Sequence, residues 1–334
     1  MRSLLFVSLI ATTSIMTGCG ESSSSGTRVA YVTNGVASFW TIAAAGARAA
    51  GKDLNVDVEI RMPKDVTDQK RIVEDLVNKG VDGIAISPID GAMQVELINE
   101  AAAQTKLITQ DADAPSSNRL CYIGMDNYEA GRACGRLVKE ALPEGGSVVF
   151  FIGRINQVNG KLRRQGVIDE LMDWERDPER FTPAGEEPKT GKYQILDTRL
   201  DELDPARAKA NAQDAINKYP DLDCMVGFFA DNPPACLEAL RQADKLGEIQ
   251  VVGFDEAPGT LQGIVDGHVH GTVTQQPYVY GYKSVEMLTK LIRGEENVIP
   301  ESQYVDVPVT IVRKDNVEEF RKRLEELLAQ GESK

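Results

Sequence analysis

Side chains that could perform covalent catalysis are scarce in this sequence. The chain has two histidines, His268 and His270, in the segment Gly-His-Val-His-Gly. Their spacing places both on one face of a strand, where a metal site would need a third ligand and an exposed strand end is the simpler alternative. The nucleophile motif Gly-x-Ser-x-Gly does not occur. The sequence therefore favours binding over chemistry, and we expect no enzyme activity.

Loops that hold phosphates or cofactors are also missing. In the segment that ends at Gly160-Lys161, six residues (154–159) separate the two glycines, where a P-loop has four. Leu162 stands where a hydroxyl should hold magnesium. No Gly-x-Gly-x-x-Gly follows a predicted strand. We therefore expect neither a cofactor nor a bound metal.

Polar and aromatic residues collect in the segments that follow predicted strands. A sugar hydroxyl both donates and accepts, so carboxylate, amide and guanidinium groups can each hold one or two hydroxyls. Aromatic faces pack against the C–H faces of a sugar ring. Singly, each residue could be a helix cap or a turn former, but their joint occurrence favours a site for a neutral polyol. The residues are Thr33, Asn34, Ser38, Phe39, Trp40, Asp111, Asn156, Asn159, Lys161, Arg163, Arg164, Asp231, Asn232, Asp255, Gln275 and Gln276.

The elements that must position these residues alternate between short β-rich runs and helical stretches. Arg-Val-Ala-Tyr-Val-Thr at 28–33 and Gly-Ile-Ala-Ile-Ser at 83–87 are typical strands, and 40–53 and 66–79 have helical spacing. Such alternation predicts βαβ units, and their number exceeds one compact sheet. We therefore predict an α/β protein with two doubly wound parallel-sheet domains. Ligands of such sheets bind at the carboxyl ends of the strands, where the polar segments lie.

Two stretches do not follow the alternation of short strands and helices. Residues 173–192 contain three prolines and many charges, which predicts an exposed loop. Residues 316–334 are highly charged but carry apolar residues at helical spacing, which predicts a solvated C-terminal helix that docks one apolar stripe. A helix that binds a partner is the alternative. The apolar residues are Val317, Phe320, Leu324, Leu327 and Leu328.

The overall charge argues against nucleic acid as a partner. The formal net charge is −14 in a chain of 334 residues. A surface this acidic repels phosphate backbones and anionic lipid headgroups, and no Lys/Arg stripe offsets it.

The first 19 residues predict export. Arg2 precedes an apolar and small-residue run from Leu4 to Met16, which is short of the roughly 20 residues that a membrane-spanning helix needs. The run ends in Met16-Thr17-Gly18-Cys19, which resembles the lipobox of bacterial lipoproteins, although the usual Leu is replaced by Met16. This predicts a lipoprotein signal peptide at 1–19, with Cys19 as the lipidation site and a Ser-rich tether at 20–27. An ordinary signal peptide cut nearby is the alternative.

Four further cysteines show no CxxC spacing, so neither a zinc site nor a thioredoxin-type motif is indicated. Buried free thiols and one or two disulfides both remain possible in an exported protein of this size. The cysteines are Cys121, Cys134, Cys224 and Cys236.

Over roughly residues 28–313, the sequence resembles the periplasmic sugar-binding proteins of the ribose-binding type, which are the substrate receptors of ABC importers. The opening strand followed by Ser38-Phe39-Trp40 and the segment Val251-Val252-Gly253-Phe254-Asp255 carry this resemblance most clearly. The related sugar-sensing repressors have an N-terminal helix-turn-helix where this chain has a leader. The other matching segments are Ile108-Thr109-Gln110-Asp111, Asp126-Asn127-Tyr128-Glu129-Ala130-Gly131, Arg163 with Gly166, Ala230-Asp231-Asn232 and Gln275-Gln276-Pro277.

The resemblance implies a role for eight residues. It implies that Phe39 and Trp40 stack on the sugar, and it matches Asn34 to a polar position. It further implies that Asp111, Arg163, Asn232, Asp255 and Gln275 bond the hydroxyls. The sequence departs from the ribose receptors at Ala112, at Ala37-Ser38 and at Leu203, where those proteins carry Arg, Asn-Pro and an aromatic ring respectively. These departures weaken the case for ribose itself more than the case for a sugar.

The family fold implies a class I periplasmic binding protein, with two lobes joined by a hinge that the chain crosses three times. The crossings would fall near Met125, Gln276 and Tyr304. Lobe one would comprise 28–125 plus 276–304, and lobe two would comprise 126–275 plus 305–315.

The predicted function is capture of a monosaccharide and its presentation to an ABC permease, by a monomer that carries a lipid anchor. Two rivals stay open at this stage: a sugar-sensing lipoprotein that serves a chemoreceptor or sensor kinase, and a secreted enzyme on the same architecture.

Overall fold

The computed structural model describes residues 26–332. The predicted signal peptide with Cys19 and residues 20–25 of the tether lie outside the described residues. No described helix is long and apolar enough to cross a membrane.

The first lobe begins with five parallel strands and three helices. Its elements are β1 (Arg28–Val32), α1 (Ser38–Leu54), β2 (Asp57–Arg61), α2 (Val66–Asn78), β3 (Gly83–Ile86), α3 (Val95–Ala102), β4 (Lys106–Gln110) and β5 (Tyr122–Gly124). The strand order β5-β4-β3-β1-β2 reverses direction at β1, as in doubly wound sheets.

The second lobe repeats this plan. Its elements are α4 (Asn127–Ala141), β6 (Gly146–Ile152), α5 (Val158–Leu171), β7 (Tyr193–Leu200), α6 (Pro205–Lys218), β8 (Cys224–Gly227), α7 (Asn232–Gln242), β9 (Gln250–Phe254), α8 (Pro258–Asp266) and β10 (Gly271–Thr274). The order β10-β9-β8-β6-β7 matches that of the first lobe. The prediction of two doubly wound parallel-sheet lobes is confirmed.

The chain then returns to each lobe once more. Helix α9 (Pro277–Ile292) and strand β11 (Tyr304–Asp306) complete the first lobe, and β11 pairs in parallel with β5. Strand β12 (Thr310–Arg313) forms an antiparallel edge beside β10, and α10 (Val317–Glu332) ends the described chain. Val305 and Asp306 pair in the first sheet, and the Val307 N–H donates to the Gly124 carbonyl, so the chain passes to the second lobe at 308–309.

Each sheet is covered on both faces by apolar clusters, which explains why the central strands are buried along most of their length. In the first lobe, one cluster contains Tyr31, Phe39 and Val285, and the other contains Ile72, Leu76 and Ile98. In the second lobe, one cluster centres on the rings of Phe150, Phe228 and Phe254, and the other lies on the α6–α7–α8 side of the sheet.

Close contact between helices α4 and α5 positions the second lobe's site residues. A Cβ on Gly131 would lie 2.1 Å from the Arg163 carbonyl oxygen, and one on Gly166 would lie 2.2 Å from the Tyr128 carbonyl oxygen. Only glycine therefore allows this approach, which holds α5 and its Arg163 in place.

The stretch 173–192 contains no helix or strand, as predicted, but it is firmly attached to the second lobe. The guanidinium of Arg164 lies 2.6 Å from the Glu187 carboxylate, and both side chains are buried. Thr198 also donates to Glu187, so this buried ion pair is satisfied on several sides. The four described cysteines are buried free thiols, which removes the disulfide alternative for them.

Candidate ligand-binding cleft

A cavity of about 550 Å³ lies between the two lobes at the carboxyl ends of their strands. Seven of the eight predicted ligand-binding residues line it, and they come from both lobes. They are Asn34, Phe39, Trp40, Asp111, Arg163, Asp255 and Gln275.

Asp111 and Asp255 occupy equivalent positions in the two lobes. Asp111 follows β4 and Asp255 follows β9, the strand with the corresponding place in the second sheet. Both backbones are left-handed, with φ of 61° and 67°. Each backbone N–H continues the ladder of its sheet, to Ile123 in one lobe and to Val273 in the other. The turn redirects each carboxylate out of the sheet and into the cavity.

On the first lobe, Asp111 is held by short side chains. Ser87 Oγ donates to Asp111 Oδ2 at 3.0 Å, and Asn34 Nδ2 lies 3.4 Å from the same oxygen. Burial raises the pKa of Asp111 to about 6, against the opposing effect of the Arg163 charge. Asp111 is thus a desolvated acceptor whose ionisation depends on the groups that face it.

On the second lobe, Arg163 is fully buried and fixed in orientation. Its Nε donates to Asn127 Oδ1 at 2.9 Å, and its Nη1 donates to the Phe228 carbonyl at 3.0 Å. The guanidinium lies 5.5 Å and 5.0 Å from the ring centres of Phe229 and Phe254. Its Nη2 has no partner among the described residues. A buried donor without a partner is costly, so a ligand oxygen at this nitrogen would be strongly favoured.

Asp255 accepts a hydrogen bond from Gln275 Nε2. Burial raises the pKa of Asp255, whereas the Arg163 charge and the Gln275 donor oppose the rise. The adjacent Glu256 is also buried, and its carboxylate oxygens have no partner among the described residues. Burial and the Asp255 charge raise the pKa of Glu256 well above its usual range. Arg163 and Gln275 therefore favour the charged form of Asp255, whereas burial without a hydrogen-bond partner among the described residues favours the neutral form of Glu256.

Aromatic rings form two opposing walls. Phe39 and Trp40 begin helix α1 and meet edge to face, with ring centres 4.8 Å apart. Phe229 lines the cavity from the other lobe and was not predicted from the sequence. A ring held between these walls would present its edge hydroxyls to the carboxylates and to Arg163.

Asn232 is the one predicted residue that does not line the cavity. Its Nδ2 donates to Asp201 Oδ2 at 2.7 Å, and its Oδ1 accepts from the Phe229 backbone N–H at 3.0 Å. Both ends of its amide are therefore used within the protein, and the residue fixes the loop that carries Phe229. The neighbouring Asp231 lines the cavity instead, and burial raises the pKa of its carboxyl group.

The mouth of the cleft is lined by residues that the sequence did not single out, with Lys64 on the first lobe and Arg154 and Glu202 on the second. Leu203, where the ribose receptors carry an aromatic ring, also lines the cavity. Gln157 Nε2 donates to the Ile89 carbonyl at 3.1 Å, which is a hydrogen bond from one lobe to the other across the mouth. The lobes are therefore in contact in this structure.

The two histidines take no part in the cleft. Both precede β10, and His270 Nε2 lies 3.6 Å from Glu140 Oε2. Within residues 26–332, no cluster of three or more His, Cys, Asp or Glu side chains could hold a metal ion.

Two similar lobes around a polar and aromatic cleft define a class of proteins that capture a ligand between domains. Residues 29–296 match the family model described as the periplasmic binding protein domain. The chain belongs to this family.

Relatives and solved structures agree with this assignment. The ribose import binding protein RbsB of Escherichia coli K12 is 25% identical over 229 residues, covering 67% of this chain and 70% of the relative. The D-apiose import binding protein of Paraburkholderia graminis is 22% identical over 274 residues, covering 80% and 81%. An ABC transporter solute-binding protein from Burkholderia graminis, solved with D-arabinose, is similar with a TM-score of 0.78 and 27% identity, covering 86% of this chain and 96% of that one. The resemblance stated from the sequence motifs is confirmed, as is its assignment to a class of binding proteins and not of enzymes.

Proposed function

We propose that this protein is an exported, lipid-anchored receptor that captures a monosaccharide in the cleft, closes on it and delivers it to an ABC-type importer. The observation that carries the proposal is the placement of the Arg163 guanidinium. Its Nη2 has no partner among the described residues, and its charge lowers the pKa of two buried carboxyl groups, Asp111 on the first lobe and Asp255 on the second.

The charges in the cleft favour a neutral, hydroxyl-rich ligand. An anionic ligand would be repelled by the carboxylates of Asp111, Asp231 and Asp255, and a cationic one would meet the Arg163 guanidinium. Hydroxyl groups can donate to the carboxylates and accept from the guanidinium in the same molecule. The aromatic walls add apolar contact with ring C–H groups. A sugar ring combines these properties.

The names of the relatives support this ligand class. They include receptors for ribose and apiose, and the similar structures include one in complex with D-arabinose and a glucose-galactose binding protein of Geobacillus stearothermophilus that is 25% identical. These ligands are all monosaccharides, but they differ in ring size and hydroxyl pattern. They therefore support a monosaccharide as the class without selecting one.

Delivery to a permease and membrane anchoring complete the proposal. The curated relatives are import binding proteins, which supports a role in transport over a role in sensing. The motif Thr17-Gly18-Cys19 after a short apolar run supports a lipid anchor at Cys19.

A thermal-shift screen against pentoses, hexoses and polyols tests the ligand class, followed by calorimetric titration of the best hits. We expect at least one monosaccharide to raise the melting temperature, because a ligand that binds only the folded state stabilises it by mass action. If amino acids or sugar phosphates stabilise the protein and no neutral sugar does, the proposed ligand class is wrong. Uptake of the best sugar by cells with and without the gene then separates transport from sensing.

A further inference from the structure

Helix α10 packs against both lobes. Val317 and Phe320, at its start, belong to the apolar cluster of the second lobe. Leu327 and Leu328, nearer its end, pack on a cluster of the first lobe formed by α1 and by Tyr278 of α9. Leu324 contributes to both clusters. The apolar stripe predicted from the sequence is thus divided between two bodies that a hinge connects.

A second cavity, of about 660 Å³, lies between α10, helices α1 and α9 and the hinge. This hinge cavity and the ligand cleft lie on opposite sides of the turn at 255–256 and of the crossing segment at 275–276. Asp255 and Gln275 line the cleft, whereas the next residues, Glu256 and Gln276, line the hinge cavity. The helix therefore lies behind the hinge when the cleft is viewed from its mouth.

The packing of α10 coexists with contact between the lobes at the mouth. The hydrogen bond from Gln157 to Ile89 exists only while the lobes are together. Opening of the cleft separates Gln157 from Ile89 and brings the two lobes closer together behind the hinge. This rotation reduces the volume of the hinge cavity. It also displaces Leu327 and Leu328 relative to α1, because the start of α10 moves with the second lobe.

We propose that α10 is a strap across the back of the hinge, whose packing on α1 stabilises the closed arrangement before any ligand arrives. The fraction of molecules that are closed sets the apparent affinity, since the apparent dissociation constant is the intrinsic one divided by that fraction. A strap of this kind adjusts affinity without touching the ligand.

The distance between the lobes can be measured without knowing the ligand. Met93 and Val158 are exposed residues on opposite lobes near the mouth, with 79% and 46% exposure. Cysteines introduced there by Met93→Cys and Val158→Cys in the full chain carry spin labels. Cys19→Ser removes one competing thiol, and the four described cysteines are buried.

The test compares Leu327→Ala/Leu328→Ala with Lys322→Ala/Glu325→Ala, which changes exposed positions on the same helix. We expect the leucine variant to lower the ratio of closed to open molecules by roughly tenfold, since two partly buried leucines lose apolar contact. The control should keep the distance distribution of the parent. If the double variant unfolds, the single variants Leu327→Ala and Leu328→Ala should each give a smaller shift, of about threefold, in the same direction.

An unchanged distance distribution in a leucine variant that keeps its helical content would overturn the proposal, as would a shift toward closed molecules. The affinity for the best sugar should fall by the same factor as the closed population. A loss of affinity without a change in distance would also count against the strap. If no neutral sugar binds any of the proteins but the distances shift as expected, the ligand proposal fails and the strap stands.

Discussion

Replacement of Asp255 by Asn tests the cleft most directly. Asn is the appropriate substitution because the backbone of Asp255 is left-handed, a conformation that Asn tolerates better than most residues. The change removes the charge and keeps the size of the side chain. It should weaken sugar binding while leaving the fold intact.

The magnitude follows from how the carboxylate is used. A carboxylate offers about four acceptor positions, and Gln275 Nε2 occupies one of them. The remaining positions can accept from about two hydroxyls of a bound sugar. Hydrogen bonds to charged groups contribute roughly 1.5–3 kcal/mol and neutral ones roughly 0.5–1.5 kcal/mol. Losing the charge at two bonds should therefore cost about 2–3 kcal/mol, or roughly 30- to 150-fold in affinity.

The assay is calorimetric titration of wild type and variant with the best sugar from the screen. Glu256→Gln is the matched control, because Glu256 is the adjacent buried residue but lines the hinge cavity, and burial favours its neutral form. We expect its affinity to stay within about threefold of wild type. The melting temperature of each ligand-free variant should change little, because both substitutions keep the size of the side chain and the amide oxygen introduced at position 255 still accepts from Gln275. Equal affinity for Asp255→Asn and Glu256→Gln would remove Asp255 from the binding site.

Three further predictions address the other lobe, the anchor and the thiols. Burial raises the pKa of Asp111 to about 6, and the carboxylate accepts hydroxyl hydrogen bonds better than the acid. Titration across pH should therefore show constant affinity above neutrality and about tenfold weaker binding at pH 5. Asp111→Asn should bind more weakly and with a smaller pH dependence, and a wild-type profile that is flat to pH 5 would contradict the assignment. Cys19→Ala, followed by fractionation of expressing cells, should move the protein from the membrane to the soluble fraction, and full retention in membranes would disprove the lipid anchor. Replacing all four described cysteines, Cys121, Cys134, Cys224 and Cys236, with Ser should leave sugar affinity within a few-fold of wild type, because none of them lines the cleft. The melting temperature should fall, because the buried thiols lose packing contacts. A folded variant that no longer binds the sugar would refute this prediction.

The fold and much of the cleft were predictable from the sequence. Alternating strand and helix patterns require parallel sheets, and the carboxyl ends of parallel strands meet at one edge. Asp111 and Asp255 come directly after such strands, so their positions in the chain already placed them at that edge. The same reasoning applied to Phe39 and Trp40, which begin the helix after the first strand.

The sequence could not decide which of two adjacent polar residues faces the cavity. Asp231 and Asn232 are equally polar and both lie at the start of α7, but successive residues there point in different directions. Asp201, which comes from a distant loop, engages the Asn232 amide and leaves Asp231 facing the cleft. The orientation of Asn232 thus depends on a partner that is 31 residues away in the chain. No local sequence pattern indicates such a contact.

The contacts between the lobes also could not be predicted from the sequence. Its helical spacing predicted that the C-terminal helix has an apolar stripe, because periodicity is a local property. Which surfaces the stripe covers depends on where the hinge places α1, α9 and the second-lobe cluster relative to one another. The contact between Gln157 and Ile89 has the same origin, since it exists only through the mutual orientation of two separately folded sheets. The sequence therefore determined the fold of each lobe, and only the tertiary structure decided which surfaces of the two lobes contact each other.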